Sequence, residues 1–433
     1  MSSLPHQVLI TFLLFFSSLF LHSSQQTLIS PISKDDSTKL YTLLIYLKTP
    51  LQPSKLHLDL GSFLPYYDCA RHYKSSSYKP LPGNSTLCKD LNTGISVSCD
   101  DRPVGPDCFR DDTCGFVPQN PVTRKTAVGA ILTDKFALPT TKKPGLPGPV
   151  TELLLTCTFP DPNSRIYKGL AKGSNGLAAL GRFNYSLPAQ LSRAFSSPLI
   201  FAVCLPGSST APGLALFNTP GPYYFSPTIN LSKSLIYTPL IPGPGPTVFE
   251  QYKSPDYYLG LTSIKVNSFV VPLNKTLLDI DENGKGGVKI STYTPYTLLQ
   301  TSIFKALVNA FVKESAKLNL TVTAAVKPFS VCYAADKITS TRVGPGVPTV
   351  DLVLQSDKVI WRIYGSNSMV RVDDKWCLGF VDGGLNPRTS IVIGGHQLED
   401  NLLQFDLVRE RLGFSSSLLV YSTTCANFDS TKN

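Results

Sequence analysis

The chain has 433 residues, more than one ordinary compact domain holds, so its length indicates at least two lobes or domains. Only 16% of the residues are charged, and 35 prolines, 30 glycines and 23 phenylalanines argue against a helical bundle and for short strands joined by turns. The formal charge is +10, but the basic residues are dispersed, which argues against nucleic acid and favours an acidic protein cleft or wall polysaccharide as partner.

The first predicted element is a signal peptide over residues 1–24. A largely apolar run extends from Val8 to Leu21, and it is shorter than the ~18 residues that a membrane span needs. Small polar residues follow, so we expect the mature chain to begin near Gln25. We find no later stretch that could cross a bilayer and therefore expect a secreted protein with no membrane association.

Cysteines and glycosylation sequons agree with this compartment. No two cysteines form a C-x-x-C pair, which favours up to five disulfides over zinc or dithiol chemistry and leaves their pairing open. The ten cysteines are Cys69, Cys88, Cys99, Cys108, Cys114, Cys157, Cys204, Cys332, Cys377 and Cys425. The predicted glycosylation sites are Asn84, Asn184, Asn230, Asn274 and Asn319.

Short apolar runs bounded by Gly, Pro, Asn and Ser predict strands throughout the chain. They are Lys39–Leu47, Leu56–Leu60, Leu153–Thr158, Leu199–Val203, Tyr257–Val266, Val288–Ser291, Val359–Ile363 and Ser390–Ile393. Helical periodicity predicts helices over Leu187–Phe195 and Gln300–Leu318, the second with a stripe of Ile303, Leu307, Ala310 and Phe311.

The Pro- and Gly-rich stretch Leu205–Pro227 has no periodicity and separates two halves. We predict an N-terminal lobe over 25–204, an inter-lobe connection over 205–234 and a C-terminal lobe over 235–433. Within the second lobe, Asn283-Gly284 predicts a hairpin. The segment Asp279–Gly284 imitates the start of a calcium loop, but Ile290 stands where that loop requires Glu, so we predict no metal site.

The two halves carry a weak internal repeat of a strand, a tight loop and, later, an apolar segment that ends in Gly. In the first half these segments are Leu56–Leu58, Asp59–Ser62 and Leu177–Gly181; in the second they are Val288–Ile290, Ser291–Thr294 and Ile391–Gly395. The arrangement resembles the pepsin-like aspartic proteases over nearly the whole mature chain. The resemblance implies an all-β, bilobal pepsin-like fold with a few short helices.

Catalysis in that family needs two carboxylates that share one proton, so that one acts as a base and the other as an acid. Asp59 supplies one, and Ser291 stands at the second position when Thr294 and Thr297 fix the register. A serine cannot hold the shared proton, and loss of a general acid or base costs ~10²–10⁴-fold in rate. We therefore predict an inactive dyad with Asp59 and Ser291 vestigial, no cofactor, and Asp59 chiefly a turn former.

The flap also departs from the family pattern. Active relatives carry a Tyr-Gly-Asp-Gly-Ser-like tip ahead of a Gly and an Asp, whereas the stretch before Gly129 and Asp134 reads Asn120-Pro121-Val122-Thr123-Arg124. No tyrosine is available there to close over a substrate.

Three segments make the resemblance more specific and point to the plant members of the pepsin-like family. They are Pro118–Arg124, Lys289–Thr297 and Asp382–Asn401. On them the chain is identified as a member of the group that holds extracellular dermal glycoproteins, xyloglucan-specific endoglucanase inhibitors, wheat-type xylanase inhibitors and basic seven-S globulins. The resemblance implies inhibition, in plant defence, of microbial wall-degrading glycoside hydrolases, an endoglucanase or a xylanase, by loops of the second lobe.

One arginine is the candidate inhibitory group. Arg388 stands where such inhibitors carry an inhibitory arginine, and a guanidinium can bridge the paired carboxylates of a retaining glycosidase, which lie ~5–5.5 Å apart. A second such arginine is replaced by Val322. The simpler alternative for Arg388 is a solvated loop charge.

Two other functions stay open beside a monomeric inhibitor of the apoplast. A residual aspartic endopeptidase needs another carboxylate to reach Asp59, and Asp279 and Asp281 lie too early in the hairpin to do so. A storage or peptide-binding globulin is the third function.

Overall fold

The structure is a computed structural model that describes residues 28–69, 73–99, 105–106, 112–140, 146–158, 165–226, 229–245 and 252–432. The predicted signal peptide and Cys108 lie outside these ranges. Strands take up 40% of the residues and helices 15%, which confirms the all-β prediction with a few short helices.

The strands of the first half and of the connection are β1 Leu28–Lys34, β2 Tyr41–Leu47, β3 Gln52–Asp59, β4 Tyr66–Asp68, β5 Lys79–Pro80, β6 Ser96–Val97, β7 Thr113–Phe116, β8 Gly129–Pro139, β9 Pro147–Thr158, β10 Gly176–Ala179, β11 Ile200–Cys204, β12 Gly213–Phe217, β13 Tyr224–Ser226 and β14 Ile229–Asn230. The α-helices here are α1 Thr86–Leu91 and α2 Leu187–Ala194.

The strands of the second half are β15 Ile236–Ile241, β16 Tyr257–Leu259, β17 Leu261–Val266, β18 Phe269–Val270, β19 Val288–Ile290, β20 Thr297–Leu299, β21 Val322–Thr323, β22 Cys332–Ala334, β23 Ser340–Thr341, β24 Gly344–Pro345, β25 Val350–Leu354, β26 Ile360–Ile363, β27 Met369–Val372, β28 Lys375–Leu378, β29 Phe380–Asp382, β30 Ile391–Ile393, β31 Asn401–Asp406 and β32 Arg411–Ser417. The α-helices here are α3 Thr301–Ala316, α4 Gly365–Ser368 and α5 Gly395–Leu398.

A single large sheet passes through both halves of the described chain. Its centre is the antiparallel sequence β1, β12, β11, β31, β32 and β15, in which β11 of the first half pairs with β31 of the second from Ile200↔Asp406 to Cys204↔Leu402. Phe201 and Phe405 stack across this junction with ring centroids 4.6 Å apart. The two lobes are therefore joined by a buried, hydrogen-bonded seam.

The connection between the lobes contains more regular structure than its composition predicts. Strand β12 lies inside the predicted connection, and all five of its residues, Gly213–Phe217, are buried. A strand that is buried on both faces has no apolar-polar alternation, so a search for periodicity cannot detect it.

Both predicted helices are present. In α3 the predicted stripe is buried, and the side chain of Gln300 caps the first turn by accepting from the backbone N–H of Ser302 at 2.7 Å. In α2 the side chain of Gln190 is buried and bonds both the N–H and the carbonyl of Leu154, which fixes the helix against β9.

Candidate functional site

The first candidate loop leaves strand β3 at Asp59. β3 pairs in parallel with β10, which places Asp59 opposite Ala179, and the N–H of Leu180 donates to the Asp59 carbonyl at 2.8 Å. The Asp59 side chain is 1% exposed. Its Oδ2 accepts a hydrogen bond from the Ser62 hydroxyl, and its Oδ1 has no hydrogen-bond partner among the described residues.

The second candidate loop leaves strand β19 at Ser291 and repeats this geometry. β19 pairs in parallel with β30, and the N–H of Ser291 donates to the Ile393 carbonyl at 2.9 Å. Ser291 is 2% exposed, and its hydroxyl accepts from the Tyr293 N–H at 3.2 Å. Each loop thus begins where a short parallel strand pair ends.

One threonine joins the two loops across the lobe interface. The Thr292 hydroxyl donates to the Leu58 carbonyl at 2.9 Å and accepts from the Leu60 N–H at 3.2 Å. Leu60 faces Thr292 from the first loop, but its side chain has no hydroxyl and cannot form the equivalent hydrogen bonds to the second loop. The hydroxyl bonds between the two loops therefore come from Thr292 alone. Because Thr292 faces Leu60, the residues that precede them, Ser291 and Asp59, occupy corresponding positions in the two loops.

A second carboxylate lies beside Asp59, and the sequence analysis missed it. Asp256 immediately precedes β16; a Cβ built on Gly61 would lie 2.3 Å from Asp256 Oδ1 and 3.9 Å from Asp59 Oδ1. Asp256 Oδ2 forms an ion pair of 2.8 Å with Lys289 Nζ, and these side chains are 19% and 7% exposed. The available signal was the position of Asp256 directly before the predicted strand Tyr257–Val266.

Burial and the Asp256 carboxylate shift the pKa values of Asp59 and Lys289. Burial raises the pKa of Asp59 from 3.8 to about 6, the Ser62 hydrogen bond opposes that rise, and the Asp256 carboxylate adds to it. Burial alone would lower the pKa of Lys289, but the Asp256 carboxylate raises it above its usual value. Lys289 is therefore a buried ammonium that forms an ion pair with Asp256.

The flap segment is fixed to its own lobe by Asn120. This fully buried side chain donates to the carbonyls of Ile166 at 2.6 Å and Lys168 at 2.9 Å, while its Oδ1 accepts from the N–H groups of Val122 and Thr123. The side chain of Asn120 therefore ties the short turn Asn120–Arg124 to its own lobe, in addition to the backbone bond from Arg124 N–H to the Asn120 carbonyl at 2.9 Å.

The end of the flap reaches the second lobe. Arg124 Nη2 donates to the Tyr293 hydroxyl at 3.2 Å, and its guanidinium carbon lies 5.3 Å from the centre of that ring. Lys289 Nζ lies 5.5 Å from the centre of the same ring. Tyr293 thus fills the space between the flap and the floor, and two cations contact it.

Around these groups lies a cleft of about 730 Å³ between the two lobes. Its wall includes prolines and tyrosines of both halves, and Asp59, Asp256 and Lys289 line its floor. Arg124 and Arg388, both exposed, line its mouth. The volume falls in the range typical of small-molecule sites.

Arg388 lies on the connection between β29 and β30, and its guanidinium bonds the carbonyl of Gly245. The connection is held by its own hydrogen bonds: Asp382 Oδ1 accepts from Gly384 N–H at 2.9 Å and from the Thr301 hydroxyl at 2.7 Å. Gly286 N–H donates to the Arg388 carbonyl at 2.8 Å. Val322, at the second family position, is exposed on the short strand β21.

The cysteines and sequons are placed as follows. The described disulfides join Cys69 to Cys157, Cys88 to Cys114, Cys204 to Cys425, and Cys332 to Cys377. Cys99 is also disulfide-bonded. Asn84, Asn184, Asn274 and Asn319 are exposed, whereas Asn230 is half-buried and its Oδ1 accepts from Tyr223, Ser232 N–H and the Ser232 hydroxyl. Glycosylation of these sites stays a prediction.

The described ranges contain no group of three or more His, Cys, Asp or Glu residues that could hold a metal ion. In the predicted hairpin, Asp281 Oδ1 instead accepts from the N–H groups of Asn283 and Lys285. Within the part of the chain that the structure describes, no helix is long and apolar enough to span a bilayer.

Known sequences and structures match nearly the whole chain. The family profiles described as "Xylanase inhibitor N-terminal" and "Xylanase inhibitor C-terminal" match residues 41–217 and 256–416. "Probable aspartic proteinase GIP1" of Glycine max is 48% identical over 93% of this chain and 92% of its own length.

Two crystal structures share the fold. That of EDGP superposes with a TM-score of 0.87 at 44% identity and covers 93% of this chain and 98% of its own. That of the soybean basic 7S globulin superposes with a TM-score of 0.77 at 31% identity and covers 93% of this chain and 100% of its own.

Proposed function

The chain belongs to the xylanase-inhibitor family of plant proteins with the pepsin-like bilobal fold, and on that premise we propose that it is a secreted, catalytically inactive inhibitor of microbial glycoside hydrolases. The proposed target is a wall-degrading endoglucanase or xylanase, and the inhibitor acts as a monomer in the apoplast. The observation that carries the proposal is Arg388, an exposed guanidinium on a connection whose backbone is fixed by hydrogen bonds.

The two candidate loops support the loss of proteolysis. Asp59 and Ser291 occupy corresponding positions, so a single carboxylate stands where an aspartic protease needs two that share a proton. Asp59 is also 1% exposed, which leaves it poorly placed to activate a water for attack on a peptide. Purified protein should therefore show no pepstatin-sensitive cleavage of denatured haemoglobin at acid pH.

Asp256 is the specific observation in favour of residual endopeptidase activity, because it brings a second carboxylate near Asp59. Its ion pair with Lys289 argues against that function. The Asp256 carboxylate bonds the Lys289 ammonium at 2.8 Å, whereas an aspartic protease needs its second carboxyl to share a proton with the first. Robust cleavage that Asp256→Asn and Asp59→Asn each abolish would establish the endopeptidase and overturn the inactive dyad.

Arg388 has the chemistry that a glycosidase cleft attracts. Its guanidinium is always charged and presents a planar set of donors, which matches a pair of carboxylates by charge-assisted hydrogen bonds. No carboxylate oxygen of the described residues lies within ion-pair distance of the Arg388 guanidinium. Binding to an enzyme therefore does not require an ion pair among these residues to be broken. A fixed connection also reduces the entropy lost on binding.

The test is a pull-down of fungal and oomycete endoglucanases and xylanases by the immobilised mature protein. For a captured enzyme, Arg388→Ala should weaken binding by ~2–5 kcal/mol, mainly through faster dissociation, because it removes one partner of a desolvated charge pair. Arg342→Ala is the matched control, since Arg342 is an exposed loop arginine that does not line the cleft. A captured enzyme that binds Arg388→Ala as tightly as the wild type would place the inhibitory group elsewhere.

A storage globulin is the second candidate, because the soybean basic 7S globulin shares the fold over 93% of this chain. The two functions differ in where the protein accumulates and in what it binds. High abundance in seeds together with no capture of any glycosidase in the panel would favour storage and contradict the inhibitor proposal.

A further inference from the structure

Two guanidiniums at the mouth of the inter-lobe cleft have no carboxylate partner in the part of the chain that the structure describes. Arg124 comes from the flap and Arg388 from the β29–β30 connection, and both are exposed. Their side chains form hydrogen bonds to neutral groups, the Tyr293 hydroxyl at 3.2 Å and the Gly245 carbonyl. Among the described residues, neither guanidinium forms an ion pair, in contrast to Arg362, which is bidentate to Asp351.

The acidic groups among the described residues of the same cleft are either paired or inaccessible. Asp256 is paired with Lys289 at 2.8 Å, and Asp59 is 1% exposed beneath Ser62. Within the described ranges, a cationic ligand would therefore meet no accessible carboxylate without a partner, and it would pass two arginines to enter. An anionic ligand meets two guanidiniums that can each donate two hydrogen bonds to a carboxylate.

The residues that line the cleft indicate the shape and polarity of the part of the ligand that carries the carboxylate. Prolines of the second half, among them Pro244, Pro295 and Pro387, are half-buried and present rigid apolar faces without a donor. The half-buried ring of Tyr296 adds aromatic surface to the same wall. Such walls suit a flat apolar body rather than a chain of hydroxyl groups.

From these observations we propose that the inter-lobe cleft binds an organic carboxylate with a flat aromatic body. The carboxylate lies between Arg124 and Arg388 at the mouth, and the aromatic body packs against the proline and tyrosine walls. The volume of about 730 Å³ is ample for a molecule of this size. This site is built by the chain itself, so it stands independently of the proposed inhibition of glycosidases.

The site also predicts a form of control. A bound carboxylate engages Arg388, the residue proposed to enter the glycosidase. Ligand in the cleft and a glycosidase on the surface then compete for one guanidinium, which links their affinities reciprocally. The direct test of the site uses the mature protein alone, so that its result does not depend on any glycosidase.

The experiment is calorimetric titration with trans-cinnamate and, as the neutral matched ligand, trans-cinnamamide. Cinnamate should bind with one site per chain, and cinnamamide about tenfold more weakly or less, because the amide cannot form the charge-assisted bonds. Arg124→Gln and Arg388→Gln should each weaken cinnamate binding by about tenfold. Arg342→Gln should leave it unchanged, and equal melting temperatures should confirm that all three variants are folded.

Three results would overturn the proposal. Equal affinity for cinnamate and cinnamamide would show that the carboxylate does not contribute to binding. If Arg342→Gln weakened cinnamate binding as much as Arg124→Gln and Arg388→Gln, the net charge of the protein alone would explain the binding. Tighter binding of acetate or of trigalacturonate than of cinnamate would exclude the aromatic body and assign the cleft to small anions or to acidic glycans.

Discussion

Asp59 is a carboxyl group whose folded environment favours the protonated form. Burial raises its pKa from 3.8 to about 6, the Ser62 hydroxyl and the Lys289 ammonium oppose that rise, and the Asp256 carboxylate reinforces it. A group with a raised folded pKa binds more protons in the folded state than in the unfolded chain. Its contribution to stability is therefore complete below pH 3.8 and lost as the pH rises through about 6.

Replacing Asp59 by Asn should raise the free energy of unfolding at neutral pH. The pKa difference between the folded and unfolded states corresponds to about 3 kcal/mol at ~1.4 kcal/mol per unit, and Asn carries no charge to desolvate. We expect a gain approaching that value at about pH 7 and almost none at about pH 4, measured by denaturant unfolding. An equal gain at both values would contradict a raised pKa.

Asp336→Asn is the control for this comparison because the Asp336 side chain is 72% exposed. It should change neither the stability nor its dependence on pH. The free energy of unfolding of Asp59→Asn should still depend on pH, since burial also raises the pKa of Asp400 to about 6.

Replacing only one member of the Asp256–Lys289 ion pair should lower the free energy of unfolding. Lys289→Met leaves the half-buried Asp256 carboxylate without its cation and near Asp59, and we expect a loss of up to ~3–5 kcal/mol, the cost of breaking a fully buried pair from one side. The double variant Lys289→Met/Asp256→Asn removes both charges and should recover most of that loss. The measurement is a double-mutant cycle by chemical unfolding, and a loss below ~1 kcal/mol in Lys289→Met would mean that the pair is well solvated.

At the scale of elements, the flap is a short turn whose conformation depends on one side chain. Asn120 satisfies two carbonyls of the loop around Ile166 and two N–H groups of the turn itself. The sequence analysis treated this segment as a degraded flap and had no means of detecting the anchor. The bonds to Ile166 and Lys168 join residues 46 and 48 positions apart, so no local pattern records them.

Asn120→Ala should release the flap without unfolding either lobe. It removes four hydrogen bonds and leaves the carbonyl of the buried Ile166 without this donor, which costs ~1–3 kcal/mol. The carbonyl of Lys168 belongs to an exposed residue, so its loss should cost less. Hydrogen exchange at the amides of Val122 and Thr123 should accelerate strongly, while β8 and β9 stay protected. Gln119→Ala, which loses one exposed bond, should have little effect; unchanged exchange in Asn120→Ala would show that the prolines alone fix the turn.

At the scale of the whole molecule, the sequence predicted the parts that carry local patterns. The two longer helices followed from apolar periodicity, and the two candidate loops followed from the internal repeat. Strand β12 escaped because all five of its residues are buried, so it has no apolar-polar alternation. Asp256 escaped because its ion-pair partner, Lys289, lies 33 residues later in the chain. Cysteine counts likewise predicted disulfides but not their pairing.

The Cys204–Cys425 disulfide links the central seam to the end of the chain. It ties β11 to the final turns across 221 residues, whereas Cys332–Cys377 joins the adjacent strands β22 and β28 across 45 residues. All four cysteines are buried, at most 1% exposed, so replacement by alanine removes similar packing from each pair. The two pairs therefore form a matched comparison that differs mainly in the length of chain enclosed.

Removing the long-range disulfide should destabilise the protein more than removing the short-range one. A cross-link acts largely by limiting the unfolded chain, with a cost that grows as 1.5RT times the logarithm of the loop length. For these two loops the difference is about 1.4 kcal/mol, within individual losses of ~2–4 kcal/mol. Urea unfolding of Cys204→Ala/Cys425→Ala and of Cys332→Ala/Cys377→Ala measures it directly. A larger loss for the second pair would indicate that the folded lobe, rather than the unfolded chain, determines what each disulfide contributes.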